Sequence, residues 1–176
     1  MSNLSQFIWF EKYRPRNLND MSIDPAYKKA FEHYITEKNI PHLLLEGIQG
    51  SGKTTTAYIF MKSIPCVTLT LNASGADRGI DTIRGKVKTF ASSAPPQGKI
   101  KVVLLDEADQ LTAEAQTALK NTMETYSLSC RFILTCNHVD KIIDPIQSRC
   151  IRYTFQRFPK RKLLMVCEEI LKKEGI

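Results

Sequence analysis

The chain of 176 residues has the length of one ordinary domain, and its 43% hydrophobic content is enough to bury a core. No apolar run approaches the roughly 20 residues of a membrane-spanning helix, and residues 1–10 lack the pattern of a signal peptide, so we predict a soluble, intracellular protein without a membrane partner. The net charge of +7 permits a polyanionic partner but does not require one. Five cysteines without a C-x-x-C pair predict neither a disulfide framework nor a zinc site.

Apolar periodicity predicts strands and helices that alternate along the chain. Short apolar runs predict five strands, at His42–Leu45, Cys66–Leu71, Ile100–Leu105, Arg131–Cys136 and Ile151–Phe155. Helical spacing predicts helices after Asp24-Pro25, over Thr54–Ser63 and Ile80–Phe90, after Thr112, and over Pro159–Lys173, the last with Leu163, Val166, Cys167, Ile170 and Leu171 facing inward. This alternation predicts an α/β fold with a five-stranded, mainly parallel sheet flanked by helices.

The segment Trp9–Pro15 is dense in aromatic and basic side chains. Such side chains can pack against a flat ring such as adenine. Alternatively, the segment is a strap held on the core by Trp9 and Tyr13, and the two hypotheses are compatible.

The most specific motif is the stretch 47–54, Gly-Ile-Gln-Gly-Ser-Gly-Lys-Thr. It has the full G-x-x-x-x-G-K-T spacing and lies between a predicted strand and a predicted helix, which is the context of a P-loop. The glycines allow successive backbone N–H groups to point at one spot, where the helix N-terminus also favours an anion. Lys53 would reach the β- and γ-phosphates, and Thr54 would hold Mg²⁺ through its hydroxyl.

Polar side chains follow two other predicted strands. Asp106 is placed where a carboxylate orders Mg²⁺, and Glu107 could deprotonate the attacking water. Asn137 could hold the water or the γ-phosphate, although an Asn at a strand end is often only a turn residue. Arg149 could act on a neighbouring subunit as an arginine finger, or it could form a structural salt bridge.

Several motifs together resemble one family, the small ATPase subunits of DNA polymerase clamp loaders in the AAA+ class, which include replication factor C small subunits and the loader subunits of T-even-like phages. The resemblance runs from about Ile8 to Phe155. The motifs that carry it are Trp9-Phe10-Glu11-Lys12-Tyr13-Arg14-Pro15, the P-loop, Asn72-Ala73-Ser74, Arg78-Gly79-Ile80, Asp106-Glu107-Ala108-Asp109, Cys136-Asn137 and Ile146-Gln147-Ser148-Arg149-Cys150.

The resemblance implies a role for each matching residue. An adenine pocket would be lined by Phe10, Glu11, Lys12, Tyr13, Met21 and Ser22. The phosphates of ATP would be held by Gly47, Gly50, Ser51, Gly52, Lys53, Thr54 and Thr55, and Mg²⁺ by Thr54 and Asp106. Catalysis would use Lys53, Glu107 as the base, Asn137 as the sensor of the γ-phosphate and Arg149 as the finger. Arg78, Arg84 and Lys88 would follow the DNA backbone, and residues 90–97 resemble the region that touches the sliding clamp.

The implied function is ATP hydrolysis that drives the loading of a sliding clamp onto primer–template DNA during replication, with other loader subunits as partners. The compartment would be the cytoplasm in a phage or prokaryote and the nucleus in a eukaryote. We expect an AAA+ domain over residues 1–157 and the first helix of a lid over residues 158–176. Family members continue through the lid to a collar.

Two alternatives remain open at this point. Asp106 to Asp109 spells the DEAD tetrapeptide of a helicase family, although the strand after it ends in Cys-Asn rather than Ser-Ala-Thr. A nucleotide-binding scaffold that does not hydrolyse ATP is the other alternative, but Lys53, Glu107 and Arg149 together argue against it.

Overall fold

In the computed structural model, residues 8–21 and 23–175 are described. The strands are β1 (Leu43–Gly47), β2 (Cys66–Asn72), β3 (Ile100–Asp106), β4 (Cys130–Cys136) and β5 (Ile151–Phe155). The helices are α1 (Trp9–Lys12), α2 (Pro25–Thr36), α3 (Lys53–Ser63), α4 (residues 80–92), α5 (Ala113–Thr125), α6 (Asp144–Gln147) and α7 (Lys160–Glu174). Each predicted strand and helix is therefore present, with ends that differ by a residue or two.

The five strands form one parallel sheet in the order β2-β3-β4-β1-β5. β1 lies between β4 and β5, although β2 follows it in the chain. The connection after β1 therefore leaves a crevice at the carboxyl ends of β1 and β4, and such a point in an open α/β sheet is where ligands bind. The P-loop follows β1 directly, so the topology places it in this crevice.

Both faces of the sheet are covered, which explains the almost unbroken apolar runs of β1, β3 and β4. Alternate residues of one strand point to opposite faces. Leu44 belongs to the core beneath α4 and α5, whereas Leu43 and Leu45 pack with Phe31 of α2 and Phe60 of α3. All five of these side chains are fully buried.

The helix predicted over Ile80–Phe90 is not a regular α-helix. It contains a π-helical turn over Ile83–Val87, between the α-helical segments Ile80–Thr82 and Lys88–Ser92. Ile83 and Val87 are nonetheless fully buried, so the apolar face was predicted correctly. Such turns insert an extra residue into a helix and recur at functional sites.

The prediction that the apolar face of α7 is buried is wrong for the described residues. Leu163 is 55% exposed and Val166 is 52% exposed, and Cys167 and Leu171 are also exposed, with Ile170 half-buried. Periodicity shows which face of a helix is apolar, but it does not show whether another element covers that face. No helix among the described residues is both long and apolar enough to cross a membrane.

The strap hypothesis for the N-terminal segment is also wrong for Trp9, which is 42% exposed. Tyr13 is half-buried, but its hydroxyl donates to Glu174 Oε1 at the end of α7, at 2.6 Å. Arg14 lies over the ring of Tyr58 on α3, at 5.6 Å from the ring centroid. Contacts with α3 and α7 therefore hold this segment.

Candidate active site

The backbone of the P-loop requires glycine at specific positions. Gly47 has φ 145°, and a Cβ there would lie 2.2 Å from Phe155 O. Gly52 has φ 99°, and a Cβ there would lie 2.9 Å from Met21 Cε. Gly50 has φ 75°, a backbone conformation that residues other than glycine rarely adopt. Any larger residue at Gly47 or Gly52 would displace the neighbours that shape the loop.

Lys53 is the first residue of α3 and is 7% exposed. Its Nζ donates to Gly47 O at 2.8 Å, to Ile48 O at 2.9 Å and to Asn137 Oδ1 at 2.9 Å. Burial lowers the pKa of the Lys53 ammonium, since the charged form is poorly solvated. The three acceptors hold this ammonium group at the mouth of the loop.

A chain of hydrogen bonds joins the P-loop to the ends of β3 and β4. Thr54 Oγ1 donates to Asp106 Oδ1 at 2.8 Å, and Thr135 Oγ1 donates to the same oxygen at 2.6 Å. The backbone N–H of Glu107 donates in turn to Thr135 Oγ1 at 3.0 Å. The predicted magnesium residues, Thr54 and Asp106, are therefore in direct contact.

Glu107 adopts the left-handed conformation, with φ 57° and ψ 44°. This conformation costs energy for a residue with a long side chain, and such residues cluster at active sites. This conformation ends β3 immediately after Asp106 and leads the backbone into the 3₁₀ turn Ala108–Gln110. The backbone of Glu107 is thus fixed at the carboxyl edge of the sheet, where the sequence predicts the base.

The residues at this edge fit a phosphate group and a hard cation. Ser51 is 4% exposed, and its Oγ has no hydrogen-bond partner among the described residues. A buried hydroxyl without a partner is costly, and a phosphate oxygen would satisfy it. The hydroxyl of Thr54 and the carboxylate of Asp106 are the oxygen ligands that Mg²⁺ prefers.

The predicted adenine residues are only partly described. Ser22 and the side chains of Phe10 and Glu11 lie outside the described residues. Met21 is 9% exposed and lies beside the P-loop, where its sulfur accepts a hydrogen bond from Thr56 Oγ1 at 3.5 Å. Lys12 Nζ and Tyr13 OH instead converge on Glu174 Oε1, at 2.5 Å and 2.6 Å.

Arg149 lies at the end of the sheet opposite the P-loop. It precedes β5, whose first residue pairs with Leu43 at the start of β1, whereas the P-loop follows the last residue of β1. The length of β1 separates the two, about 13 Å at the rise of a strand. Arg149 donates to Pro145 O at 2.5 Å and pairs with Glu124, so the predicted salt bridge is present. From this position Arg149 cannot reach the P-loop of its own chain.

Two of the three predicted DNA-binding residues line a groove of about 580 Å³ between α4 and α5. Arg84 and Lys88 are exposed, and neither side chain forms an ion pair or hydrogen bond within the described part of the chain. Lys86, on the same helix, is held by Asp77 at 2.7 Å. Arg78 is exposed and precedes the helix.

Sequence reasoning missed four polar residues near the site. Glu46 is 6% exposed just before the P-loop, where it pairs with Arg152 at 2.7 Å and accepts a hydrogen bond from Thr154. Thr135, Asp109 and Glu174 were missed as well. A signal existed for Thr135 alone, because it is a polar residue in the last two positions of the apolar strand β4.

This combination of a parallel sheet, a P-loop after β1 and an acidic residue at the end of β3 defines a P-loop nucleotide-binding protein. A family model described as "ATPase family associated with various cellular activities (AAA)" matches residues 43–158. The chain therefore belongs to the AAA family, which confirms the predicted fold class and nucleotide binding.

Within this family, the chain is most informatively compared with relatives that share one name. The chain is 47% identical over 175 residues to a replication factor C small subunit of Archaeoglobus fulgidus, and the match covers 96% of this chain and 54% of the relative. It is 44% identical over 182 residues to a replication factor C small subunit of Aeropyrum pernix, covering 100% and 56%. The chain thus spans about half the length of the curated relatives it matches. The resemblance predicted from the motifs is confirmed.

Solved structures share the fold at low identity. A Thermotoga maritima RuvB Holliday junction branch migration motor is 17% identical with a TM-score of 0.73, covering 93% of this chain and 55% of that chain. A DNA polymerase III gamma subunit-related protein of Thermotoga maritima is 19% identical with a TM-score of 0.66, covering 82% and 51%. These likenesses bear on the fold alone.

Proposed function

We propose that this chain is the ATP-binding and ATP-hydrolysing part of a clamp-loader subunit, which opens a sliding clamp and loads it onto primer–template DNA during replication. The observation that carries the proposal is the 47% identity with a replication factor C small subunit over 96% of the chain. The partners are other loader subunits, the sliding clamp and primer–template DNA. The protein acts inside the cell, where DNA is replicated.

The P-loop binds the phosphates of ATP through its backbone N–H groups and Lys53. In the structure Lys53 donates to two backbone carbonyls and to Asn137. A triphosphate offers this ammonium stronger, charged acceptors. Ser51, Thr54 and Thr55 complete the phosphate site. The Ser51 hydroxyl, which has no hydrogen-bond partner within residues 8–21 and 23–175, supports that assignment.

Thr54 and Asp106 hold Mg²⁺. When bound, Mg²⁺ neutralises charge on the phosphates and lowers the barrier to their transfer. Thr135 keeps the Asp106 carboxylate oriented, since it donates to the same oxygen as Thr54 does. The hydroxyl oxygen of Thr54 would offer a lone pair to the cation, and its hydrogen can still be donated to Asp106.

Glu107 accepts the proton of the attacking water, and Asn137 positions the γ-phosphate together with Lys53. Arg149 acts on the nucleotide of the neighbouring subunit, which its place at the far end of β1 supports.

The remaining site residues are proposed from the family resemblance: an adenine pocket of Phe10, Glu11, Lys12, Tyr13, Met21 and Ser22, and DNA contacts by Arg78, Arg84 and Lys88. The division into an ATPase domain to residue 157 and a lid helix from residue 158 belongs to the same proposal.

The test is the ATPase activity of the complete loader that contains this chain. We expect the rate to rise when both sliding clamp and primed DNA are added. Stimulation by single-stranded nucleic acid alone, together with strand unwinding, would point to a helicase instead. ATP binding without turnover in every mixture would point to a scaffold. The names of the relatives give neither alternative support.

A further inference from the structure

Asp109, the last residue of the Asp106-Glu107-Ala108-Asp109 tetrapeptide, has no role in the function proposed above. It lies in the short 3₁₀ turn Ala108–Gln110 after β3 and is only 5% exposed. Its Oδ2 accepts the backbone N–H of His138 at 3.2 Å, whereas its Oδ1 has no hydrogen-bond partner among the described residues. A carboxylate costs free energy to bury, so its presence at this position calls for a functional reason.

The amide that Asp109 holds belongs to the peptide between Asn137 and His138. A peptide unit is planar, so fixing its N–H also fixes the Cα of Asn137. The side chain of Asn137 accepts a hydrogen bond from Lys53 at 2.9 Å. Asp109 is therefore one peptide unit away from the contact between Asn137 and the P-loop lysine.

Asp109 also completes a reciprocal connection between two turns. In the turn that follows β3 (residues 107–110, the β3 turn), the backbone N–H of Glu107 donates to Thr135 Oγ1 of β4 at 3.0 Å. In the turn that follows β4 (residues 137–141, the β4 turn), the backbone N–H of His138 donates to Asp109 Oδ2 of the β3 turn. These two bonds fix the turn that carries Glu107 relative to the turn that carries Asn137.

We propose that Asp109 is a positioning residue, which sets the distance between Glu107 and Asn137 by anchoring the backbone of the β4 turn. This inference rests on the proposed ATPase function for its catalytic consequence. A competing explanation is a charge effect, because the Asp109 carboxylate also acts electrostatically on the Lys53 ammonium. Replacing Asp109 by Asn separates the two, since the amide oxygen still accepts the His138 N–H but carries no charge.

The first test needs no nucleotide and uses the chain itself. Hydrogen exchange of the His138 amide should accelerate about tenfold or more in Asp109→Ala, the change expected on losing a hydrogen bond to a charged group. Exchange should stay near that of the wild type in Asp109→Asn and in Asp140→Ala, which removes an exposed carboxylate from the neighbouring turn. If Asp109→Ala does not fold, Asp109→Ser provides a side chain too short to reach the amide. Unchanged exchange in Asp109→Ala, or in Asp109→Ser where that variant replaces it, would overturn the anchor.

The second test measures ATPase in the complete loader. Asp109→Ala should lower kcat by about 10- to 100-fold and move KM for ATP by less than about twofold, as expected for misplaced catalytic groups. Asp109→Asn should keep most of the activity, and Asp109→Ala should add little to Asn137→Ala, because the two act through one contact. An Asn variant as inactive as the Ala variant would overturn the proposal in favour of the charge effect. A wild-type loader without ATPase would contradict the proposed function, while the exchange experiment would still decide whether Asp109 is the anchor.

Discussion

Lys53 Nζ donates a hydrogen bond of 2.9 Å to Asn137 Oδ1, across 84 residues of sequence. The lysine begins α3 after the P-loop, and the asparagine follows β4, the strand next to β1. The hydrogen bond therefore joins the segment after β1 to the segment after β4, across the crevice at the carboxyl ends of these two strands. A γ-phosphate held by Lys53 would therefore lie within reach of Asn137.

Replacing Asn137 by Ala should slow hydrolysis by about 100-fold, because one polar group aimed at the transferred phosphate is lost. Binding of ADP should hardly change, since ADP lacks the γ-phosphate. Turnover by the loader and equilibrium binding of ADP to the chain measure the two effects. The control is Thr36→Ala, which truncates an exposed polar side chain at the end of α2. A loss of ADP binding as large as the loss of turnover would argue against a sensor.

Replacing Glu107 by Gln should leave ATP binding intact and lower the hydrolysis rate by about 100- to 10,000-fold, the contribution of a general base. The amide keeps the size of the side chain but cannot take a proton. Single-turnover hydrolysis by the loader is the measurement. The control is Glu32→Gln, which changes an exposed carboxylate on α2. Unaltered hydrolysis would rule out the assignment of the base.

Replacing Arg149 by Ala should impair ATPase only in the assembled loader. Its position at the far end of β1 keeps it from the P-loop of its own chain, so nucleotide binding by the isolated chain should be unaffected. The fall in the assembled rate should be about 1,000-fold or more, as for other arginine fingers. Lys141→Ala removes an exposed cation as a control. Weaker nucleotide binding in the isolated variant would contradict action between subunits.

Replacing Arg84 and Lys88 together by Ala should weaken DNA binding to the same degree for every sequence. Two phosphate contacts fewer should reduce the slope of log affinity against log salt by about 2. Titration of the loader with labelled primer–template DNA at several salt concentrations is the measurement. Lys86→Ala is the control on the same helix, because Lys86 is already paired with Asp77. An unchanged slope would remove these residues from the DNA interface.

Acid should destabilise the fold through His42. Burial, and then the nearby charge of Arg131, lower the pKa of His42 from 6.5 to about 4. The unfolded chain therefore binds the proton first, and stability present above pH 6.5 is lost as the pH falls toward 4. Linkage gives a loss on the order of 2 kcal/mol, after allowance for the partial exposure of the ring.

Urea unfolding at pH 7 and at pH 5 measures this effect. His42→Gln should flatten the dependence, because the amide oxygen still accepts the Phe132 N–H that His42 Nδ1 accepts at 3.2 Å. His33→Gln, which changes an exposed histidine, should not flatten it. A wild-type pH dependence that persists in His42→Gln would assign the acid sensitivity to another group.

The sequence by itself determined the elements and the chemistry of the P-loop. Both are local properties: strand and helix periods repeat within a few residues, and the glycines, Lys53 and Thr54 are adjacent in the chain. The mainly parallel sheet also followed, because strands that alternate with helices are joined by crossovers, the connection that parallel neighbours need. Asp106 and Asn137 could be placed at one edge for the same reason.

Only the tertiary structure decided how these groups are held. Thr135 and Asp109 matter because β3 and β4 lie side by side, and that pairing joins residues that are distant in sequence. The left-handed turn at Glu107, the Glu124 partner of Arg149 and the exposed face of α7 were equally beyond reach. Backbone strain and the presence or absence of a covering element depend on the whole packed chain, so no local pattern encodes them.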